Sequence, residues 1–203
     1  MLFRSVLASG AGTNLAALIE AARTPGFPAR VALVLSNRPS AGALQVARDA
    51  GVAAQALPVS EFGGDSAARD AGLRDRLLAA GVELLVCAGY DRILGEPLVA
   101  AFPDAILNIH PSLLPAFAGG MHAVEDALDH GVKVSGCTVH LIDPGAPDGG
   151  PIVLQSACPV LDGDDAQMLR QRIHQEEWRL LPEAVALWAS GRLEIRGRRV
   201  LAG

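Results

Sequence analysis

Two polar side chains that could stabilise a developing oxyanion close an otherwise apolar segment, "AILNIH" at 105–110. Because alternate residues of a strand point to the same face, Asn108 and His110 can converge on one atom. An amide N–H suits a growing negative charge on oxygen, and an imidazole gives or takes a proton near neutral pH. A single strand histidine is more often structural, but this pair stands directly before a proline-rich loop. We therefore interpret the pair as catalytic.

A third group could come from "DPGAPDGGP" at 143–151, which contains Asp143 and Asp148. A carboxylate on this glycine-rich loop could orient His110 or relay a proton, although either aspartate alone is more typical of a solvated turn. We interpret the other four histidines as structural or solvated, with His140 the first exception to consider. The histidines, cysteines and acids show no spacing typical of metal ligands, so we expect no metal.

An anion site is predicted at "SGAGTN", residues 9–14, between an apolar segment and a helical one. Glycines let backbone N–H groups approach an anion, and the helix dipole adds to the attraction; Gly12, Thr13 and Asn14 are the candidate binding residues. Leu15 stands where a dinucleotide-binding fingerprint needs its third glycine. Arg38, in "SNR" at 36–38, would nevertheless tolerate a 2′-phosphate, so an NADP-dependent oxidoreductase stays open, as does a non-enzymatic nucleotide-binding module.

The elements that position these residues alternate along the chain. Short apolar strands predict a parallel sheet covered on both faces by helices, which is a doubly wound α/β fold. Strands are predicted at 3–9, 30–37, 52–58, 82–89 and 105–110, and helices at 13–23, 40–51 and 66–81.

The pattern changes after His110, where we expect a helix at 121–131 and two strands, 135–143 and 150–160, as an antiparallel edge of the sheet. A long helical region follows at 164–191, with Asp164 as its cap and Pro182 interrupting it or starting a second helix. We expect one domain over 1–203, with an N-terminal nucleotide-binding half to about 103 and a catalytic half from about 104.

Composition narrows the class of protein. The 203 residues carry a net charge of −5, which argues against bulk electrostatic binding to nucleic acid, since that needs a basic face, while a local basic pocket stays open. The N-terminus lacks the features of a signal peptide, and no apolar run is long enough to span a membrane. Cys87, Cys137 and Cys158 fall in apolar segments, which indicates buried, reduced thiols in a cytoplasmic protein.

Several motifs together resemble the folate-dependent formyltransferases. They are "SGAGTNL" near the start, "AGYDRIL" at 88–94, "NIHPSLLPAF" at 108–117, "GCTVHLID" at 136–143, "DGGPIVLQ" at 148–155 and "QEEWRLLP" at 175–182. The resemblance covers nearly the whole chain and implies the fold of that family. It also implies formyl transfer from 10-formyltetrahydrofolate, as co-substrate, to the amine of glycinamide ribonucleotide in purine biosynthesis, by a monomer or homodimer.

The same resemblance implies roles for individual residues. Asn108, His110 and Asp148 would be catalytic, the substrate phosphate would bind at Gly12–Asn14, and Glu177 would contact the glycinamide part of the substrate. The folate pocket would include Arg92, Ile93 and Leu94, the loop 141–148, and Asn108 and Asp148 again.

Three departures from the family concern the surroundings of the site. "FAGGMH" at 117–122 has Ala118 in place of a proline and one extra residue, and "DPGAPDGG" has another extra residue, so both loops are expected to be reshaped. The family's usual phosphate-binding arginine has no clear counterpart, with only Arg69 nearby. Asp91 replaces a residue that is usually apolar or small.

Related activities remain as alternatives. A 10-formyltetrahydrofolate hydrolase would use the same donor but usually carries an N-terminal regulatory domain, whereas this chain begins directly with its first strand. A methionyl-tRNA formyltransferase would need a C-terminal RNA-binding domain and a basic surface, and this acidic chain ends at residue 203. An oxidoreductase would leave Asn108 and His110 without a role.

Overall fold

The structure is a computed structural model that describes residues 2–143 and 148–203. Contacts divide the chain into two compact units, Met1–Leu107 and Asn108–Gly203, close to the predicted division at about 103. That the two units form one formyltransferase domain remains a prediction.

The N-terminal unit is built from parallel strands connected by helices, as the alternating pattern predicts. The strands follow the order β3-β2-β1-β4, and β1 pairs in parallel with β2 and β4, as β2 does with β3. The strands are β1 (Leu2–Leu7), β2 (Ala29–Ser36), β3 (Ala53–Ala56) and β4 (Leu84–Cys87), and the helices are α1 (Thr13–Arg23), α2 (Gly42–Asp49), α3 (Ser66–Ala79) and α4 (Glu96–Val99), with a 3-10 turn at Val59–Phe62. All four residues of β4 are buried, as expected for a central parallel strand.

The C-terminal unit contains the strand that ends in Asn108 and His110, and it adds the antiparallel pairs. Its strands follow the order β5-β6-β7-β9-β8. The elements are β5 (Ile106–His110, whose first two residues belong to the N-terminal unit), α5 (Ala123–Asp129), β6 (Val134–Leu141), β7 (Ile152–Pro159), α6 (Ala166–Ala189), β8 (Leu193–Arg196) and β9 (Arg199–Ala202). Strands β6 and β7 are antiparallel. The predicted fold class is thus confirmed: a mostly parallel α/β sheet with antiparallel strands at its C-terminal edge.

Two predictions about α6 are wrong. The helix continues through Pro182 for 24 residues. The residues around the proline, Leu181 and Val185 among them, are fully buried, and their packing offsets the hydrogen bond that proline cannot donate. The N-cap is Asp165, which accepts from the Met168 N–H, because the helix begins at Ala166. Asp164 instead accepts from the Leu161 N–H and pairs with Arg172.

The C-terminal hairpin of β8 and β9 is absent from the sequence predictions. Its strands pair antiparallel, with Arg196 opposite Arg199, so that Gly197 and Arg198 form a two-residue turn. Gly197 has a φ of 59°, and glycine at the first turn position is typical of such hairpins. The alternating residues of "LEIRGRRV" together with this glycine are the signal that could have predicted it.

Several composition-based expectations can be compared with the fold. The three cysteines are buried and form no disulfide. Burial raises the pKa of the Cys87 thiol to about 12, which keeps it protonated and inert. None of the helices within the described ranges has the length and apolar character that crossing a bilayer would require.

Gly136 in β6 provides a test of the antiparallel pairing. A Cβ added there would lie 2.0 Å from the Ser156 carbonyl oxygen of β7. Since that contact is backbone, Gly136→Ala is expected to push the strands apart and lower the free energy of unfolding by about 3 kcal/mol. Chemical denaturation measures the loss, with Gly120→Ala as control because its added Cβ meets nothing nearer than 3.7 Å. Equal stability of the two variants would contradict the observed register.

Candidate active site

The end of β5 carries the predicted catalytic pair. Asn108 is half-buried and His110 is 5% exposed, while the intervening Ile109 is buried in the core. As the strand alternation predicts, both polar side chains meet one carboxylate, that of Asp148. With His140 they form a four-residue group that we call the strand-end cluster: Asn108, His110, His140 and Asp148.

His110 lies between two acceptors. Its Nε2 is 3.0 Å from the Phe117 carbonyl oxygen, and its Nδ1 is 3.4 Å from Asp148 Oδ2. A carbonyl oxygen only accepts, so Nε2 carries a proton. A second proton on Nδ1 would face the Asp148 carboxylate, and the imidazolium would be compensated there. The side chain can therefore gain and lose a proton at Nδ1 without leaving its place.

His140 is the cluster member that the sequence placed among the structural or solvated histidines, as the first exception to consider. Its Nδ1 donates to the Leu141 carbonyl at 2.9 Å. In the neutral imidazole Nε2 is then an acceptor, and it takes a hydrogen bond from Asn108 Nδ2 at 3.0 Å. The same Nε2 is 3.4 Å from Asp148 Oδ1. His140 thus fixes which way the Asn108 amide faces.

The Asn108 amide keeps one weakly engaged hydrogen. Its Nδ2 is 3.5 Å from Asp148 Oδ1, at the outer limit of a hydrogen bond, in contrast to the 3.0 Å contact with His140. A group that develops negative charge nearby could take this hydrogen bond at little cost. The amide is thereby oriented as an oxyanion donor.

Of the two candidate acids in the loop 143–151, Asp148 is the one that faces His110 and His140. Its side chain is 15% exposed, and it accepts from the Gly119 N–H at 2.8 Å. Burial by itself raises the pKa of this carboxyl, but the neighbouring imidazoles of His140 and His110 and the hydrogen bond from the Gly119 N–H outweigh it and hold the pKa below its ordinary value. Asp143, the other candidate, is exposed.

The loop after β5 is held by strands β6 and β7. The Thr138 hydroxyl donates to the Ser112 carbonyl at 2.7 Å and accepts from the Leu114 N–H at 3.0 Å. The Gln155 amide donates to the Leu114 carbonyl at 3.0 Å, and the Ser112 hydroxyl donates to the Ala116 carbonyl at 2.6 Å. These bonds fix the Phe117 carbonyl and the Gly119 N–H, which contact His110 and Asp148.

The predicted anion loop lies in the N-terminal unit. Gly12 caps α1 with a φ of 86° and, having no side chain, makes no side-chain cap. An added Cβ on Gly12 would lie 2.6 Å from Ala43 Cα, which explains why only glycine fits. Thr13 is exposed and Asn14 is buried. The geometry is that of a helix N-terminus suited to an anion.

Asp91, a departure from the family pattern, connects the segments that follow β1, β2 and β4 in this unit. It accepts from Ser9 Oγ at 2.9 Å and from Asn37 Nδ2 at 2.8 Å, and it pairs with Arg38. Arg92 Nε is 3.9 Å away. Arg38, the residue that could have met a 2′-phosphate, is therefore already paired with a carboxylate, which weakens the NADP alternative.

The predicted folate residues lie on the loop between β4 and α4. Ile93 is 80% exposed, an unusual position for a large apolar side chain, whereas Leu94 is buried. The end of this loop is fixed by the Gly95 N–H, which donates to Asp70 Oδ2 at 2.7 Å. Arg69, the only arginine near the expected phosphate position, is 2% exposed and pairs with Asp70. Arg69 is thus buried in a structural ion pair that supports the loop.

Glu177 lies on the buried face of α6 and is 4% exposed. His174 Nε2 is 3.9 Å from its carboxylate. Burial, followed by the negative charges of Glu177 and Glu176, raises the pKa of the Cys137 thiol to about 12. The carboxylate therefore lies beside β6, and a buried acid of this kind is typical of a functional position.

Part of the predicted site lies outside the described residues. Residues 144–147 belong to the expected folate loop 141–148 and to the loop with an extra residue. Within residues 2–143 and 148–203, no group of three or more histidine, cysteine or acidic side chains could hold a metal ion.

The sequence reasoning did not anticipate the two backbone groups, the Phe117 carbonyl and the Gly119 N–H, that contact the cluster. No side-chain pattern signals such contacts, because they depend on how the loop after β5 folds back.

Comparison with known proteins decides the family. The model of the formyl transferase family matches residues 4–185. The chain belongs to the formyl transferase family. Phosphoribosylglycinamide formyltransferase of Mycobacterium tuberculosis is 43% identical over 204 residues, which cover 98% of this chain and 93% of that protein. The crystal structure of glycinamide ribonucleotide transformylase 1 from Symbiobacterium toebii superimposes with a TM-score of 0.96 at 51% identity, covering 100% of this formyl transferase and 94% of that chain.

Some relatives are much longer. The trifunctional purine biosynthetic protein adenosine-3 of Drosophila melanogaster is 43% identical over 189 residues, which cover 92% of this formyl transferase but only 14% of that protein. The match therefore concerns one part of the longer protein.

The Asp91 network of this formyl transferase makes its stability depend on pH. Burial raises the pKa of Asp91, but hydrogen bonds from Asn37 and Ser9 and the charges of Arg38 and Arg92 outweigh it and hold the pKa below its ordinary value. Folding therefore favours the carboxylate. The resulting stability is present above about pH 4 and is lost as the pH falls through the folded-state pKa.

We expect Asp91→Asn to lower the free energy of unfolding by about 1–3 kcal/mol at neutral pH, with the difference from the wild type shrinking as the pH falls below about 4. Urea denaturation at each pH measures this difference. Asp162→Asn is the matched control, because the Asp162 carboxylate is 96% exposed and its removal should change little. A difference that is independent of pH would contradict the network.

Proposed function

We propose that this formyl transferase transfers the formyl group of 10-formyltetrahydrofolate to the amine of glycinamide ribonucleotide, a step of purine biosynthesis. The observation that carries the proposal is the strand-end cluster, in which an amide donor, two imidazoles and a carboxylate meet at the end of β5. The relatives named for this reaction, with matches over nearly their full length, support the choice of acceptor.

The first chemical requirement is to stabilise an oxyanion. The neutral amine attacks the formyl carbon, a new C–N bond forms, and negative charge grows on the formyl oxygen. The weakly engaged hydrogen of the Asn108 amide is the donor that we assign to this oxygen, and a protonated His110 adds positive charge beside it. Because His140 holds the amide in place beforehand, little reorganisation is needed as the charge develops.

The second requirement is to move a proton. The attacking nitrogen becomes positively charged and must lose a proton, while the nitrogen of the folate must gain one as its bond to the formyl carbon breaks. Asp148, ionised at neutral pH because its pKa is lowered, can accept the first proton, directly or through water. It can pass a proton on to the leaving nitrogen, so that no net proton remains on the enzyme.

Binding of the two substrates is assigned to other parts of the chain. The N-terminal turn of α1, at Gly12–Asn14, would hold the phosphate of the ribonucleotide. Glu177 would contact its glycinamide end. The folate would be held by Arg92, Ile93 and Leu94, of which Ile93 is exposed and Leu94 is buried, and by the loop 141–148. These roles follow from the family resemblance at matching positions.

The decisive experiment separates transfer from hydrolysis. The protein is incubated with 10-formyltetrahydrofolate in the presence and absence of glycinamide ribonucleotide, and the folate absorbance is followed. We expect loss of the donor only when the amine is present. Loss without the amine would identify a hydrolase, whereas no turnover combined with NADPH binding would identify an oxidoreductase.

Replacement of His110 tests the positive charge that we place beside the formyl oxygen. His110→Ala removes the imidazole that faces Asp148, so we expect turnover to fall by about 10²-fold or more. His122→Ala is the matched control, because His122 is exposed at the start of α5 and belongs to no part of the proposed site. Near wild-type turnover in His110→Ala would overturn the mechanism.

Replacement of Asn108 tests the oxyanion donor. Asn108→Ala removes the N–H, and Asn108→Asp keeps the shape but replaces the donor with a negative charge. Loss of one preorganised donor typically costs about 10²-fold in kcat, so we expect at least that loss in both variants, with KM values changed much less. Steady-state kinetics measures the two parameters. A rise in KM at unchanged kcat would show that Asn108 acts in binding alone.

A further inference from the structure

The C-terminal hairpin has no role in the proposed reaction, yet its turn lies beside the loop of the catalytic aspartate. Strand β9 pairs in parallel with β7, and the register places Arg199 next to Ile152. The residue before Arg199, in the hairpin turn, therefore lies near the residues that precede Ile152. These are the residues that follow Asp148.

One side chain connects the hairpin turn to this loop. Arg198 Nη1 donates to the Gly149 carbonyl at 2.8 Å. Gly149 directly follows Asp148, so the bond holds the peptide unit adjacent to the carboxylate that faces His110 and His140.

The backbone at this position needs external support. Asp148 has a φ of 54°, a left-handed conformation that is costly for a residue with a side chain. Two glycines follow it, and glycine has more conformational freedom than any other residue. Gly150 is fixed because it packs so closely on Leu141 that a Cβ would lie 1.9 Å from the Leu141 carbonyl oxygen. The carbonyl of Gly149, between Asp148 and Gly150, takes its hydrogen bond from Arg198.

We propose that Arg198 is a positioning residue for the Asp148 carboxylate, and that the C-terminal hairpin thereby supports the active site. The proposal rests on the proposed function only for its kinetic consequence, since the contact itself is structural. With Arg198 in place, Asp148 keeps the orientation in which its two oxygens meet His110, His140 and the Gly119 N–H.

Two other arginines, one in β8 and one directly before it, make different contacts. Arg196 forms two hydrogen bonds to Glu194 within β8, and Arg192 bonds the Gly203 carbonyl. Among the described residues, Arg198 is the hairpin side chain with a hydrogen bond to the aspartate loop. Arg196 therefore serves as a matched control with the same charge and a similar position.

The experiment compares Arg198→Ala, Arg198→Lys and Arg196→Ala with the wild type, all as the full chain. We expect Arg198→Ala to lower kcat/KM for the formyl-folate donor about tenfold, because even a small displacement of a catalytic group lowers the reaction rate strongly. KM for the ribonucleotide should stay within about twofold. Arg198→Lys should recover most of the loss, since an ammonium group can also donate to a carbonyl. Arg196→Ala should match the wild type.

A second measurement separates positioning from general destabilisation. NMR titration follows the carboxyl carbon of Asp148, which is faced by Asn108 and His110 from β5, by His140 from β6 and by the Gly119 N–H from the loop after β5. In Arg198→Ala the carboxylate loses alignment with these donors, so its pKa should rise towards the ordinary value. The acid limb of the kcat/KM profile should move to higher pH with it.

The outcomes are distinct. Arg198→Ala with wild-type kinetics and an unchanged Asp148 titration would overturn the inference while leaving the proposed function intact. A loss of activity that Arg196→Ala shares, with a lower melting temperature and an unchanged titration, would also overturn it, because the hairpin would then act through stability alone. If the wild type shows no formyl transfer, the proposed function fails, and the titration by itself decides the role of Arg198.

Discussion

The Asp148 carboxylate is the constraint on which the C-terminal unit depends. It must remain charged while only 15% of its side chain is exposed, and a buried charge is tolerated only with donors or opposite charges around it. The donors come from the end of β5, from β6 and from the loop that follows β5. The unit therefore has to bring three separate segments together at one pair of oxygens.

Much of the surrounding structure can be understood from this requirement. The loop after β5 is bonded to Thr138 and Gln155 so that its backbone groups reach the cluster. Gly150 permits an approach to Leu141 that no other residue could make. The left-handed backbone of Asp148 is the conformational cost of aiming the carboxylate at both imidazoles. Strain of this size persists where the neighbouring contacts determine the conformation.

Asp91 and Asp148 show how similar acids serve different purposes. Asp91 is surrounded by a hydroxyl, an amide and two arginines, and none of these groups exchanges protons readily at neutral pH. Asp91 holds together the segments that follow β1, β2 and β4 in the N-terminal unit. Asp148 is surrounded by imidazoles, which do exchange protons in that range. The two carboxyls have pKa values lowered by their surroundings, but only the second is placed to take part in proton transfer.

The sequence by itself determined the fold class, because fully apolar strands alternating with amphipathic helices have few other solutions. It also singled out Asn108 and His110, since strand alternation is a local property. The sequence misled the prediction of α6: its proline predicted an interruption at Pro182, but tertiary packing holds Pro182 within the helix.

Only the tertiary structure placed the Asp148 carboxylate against both histidines, and it alone showed that His140 orients the Asn108 amide and that Arg69 is buried rather than presented to a phosphate. It alone brought Arg198 to the Gly149 carbonyl, across 49 residues of sequence. Local sequence patterns report the direction of a side chain relative to its own strand or helix. Contacts between distant segments depend on strand register and loop conformation, which no local pattern specifies.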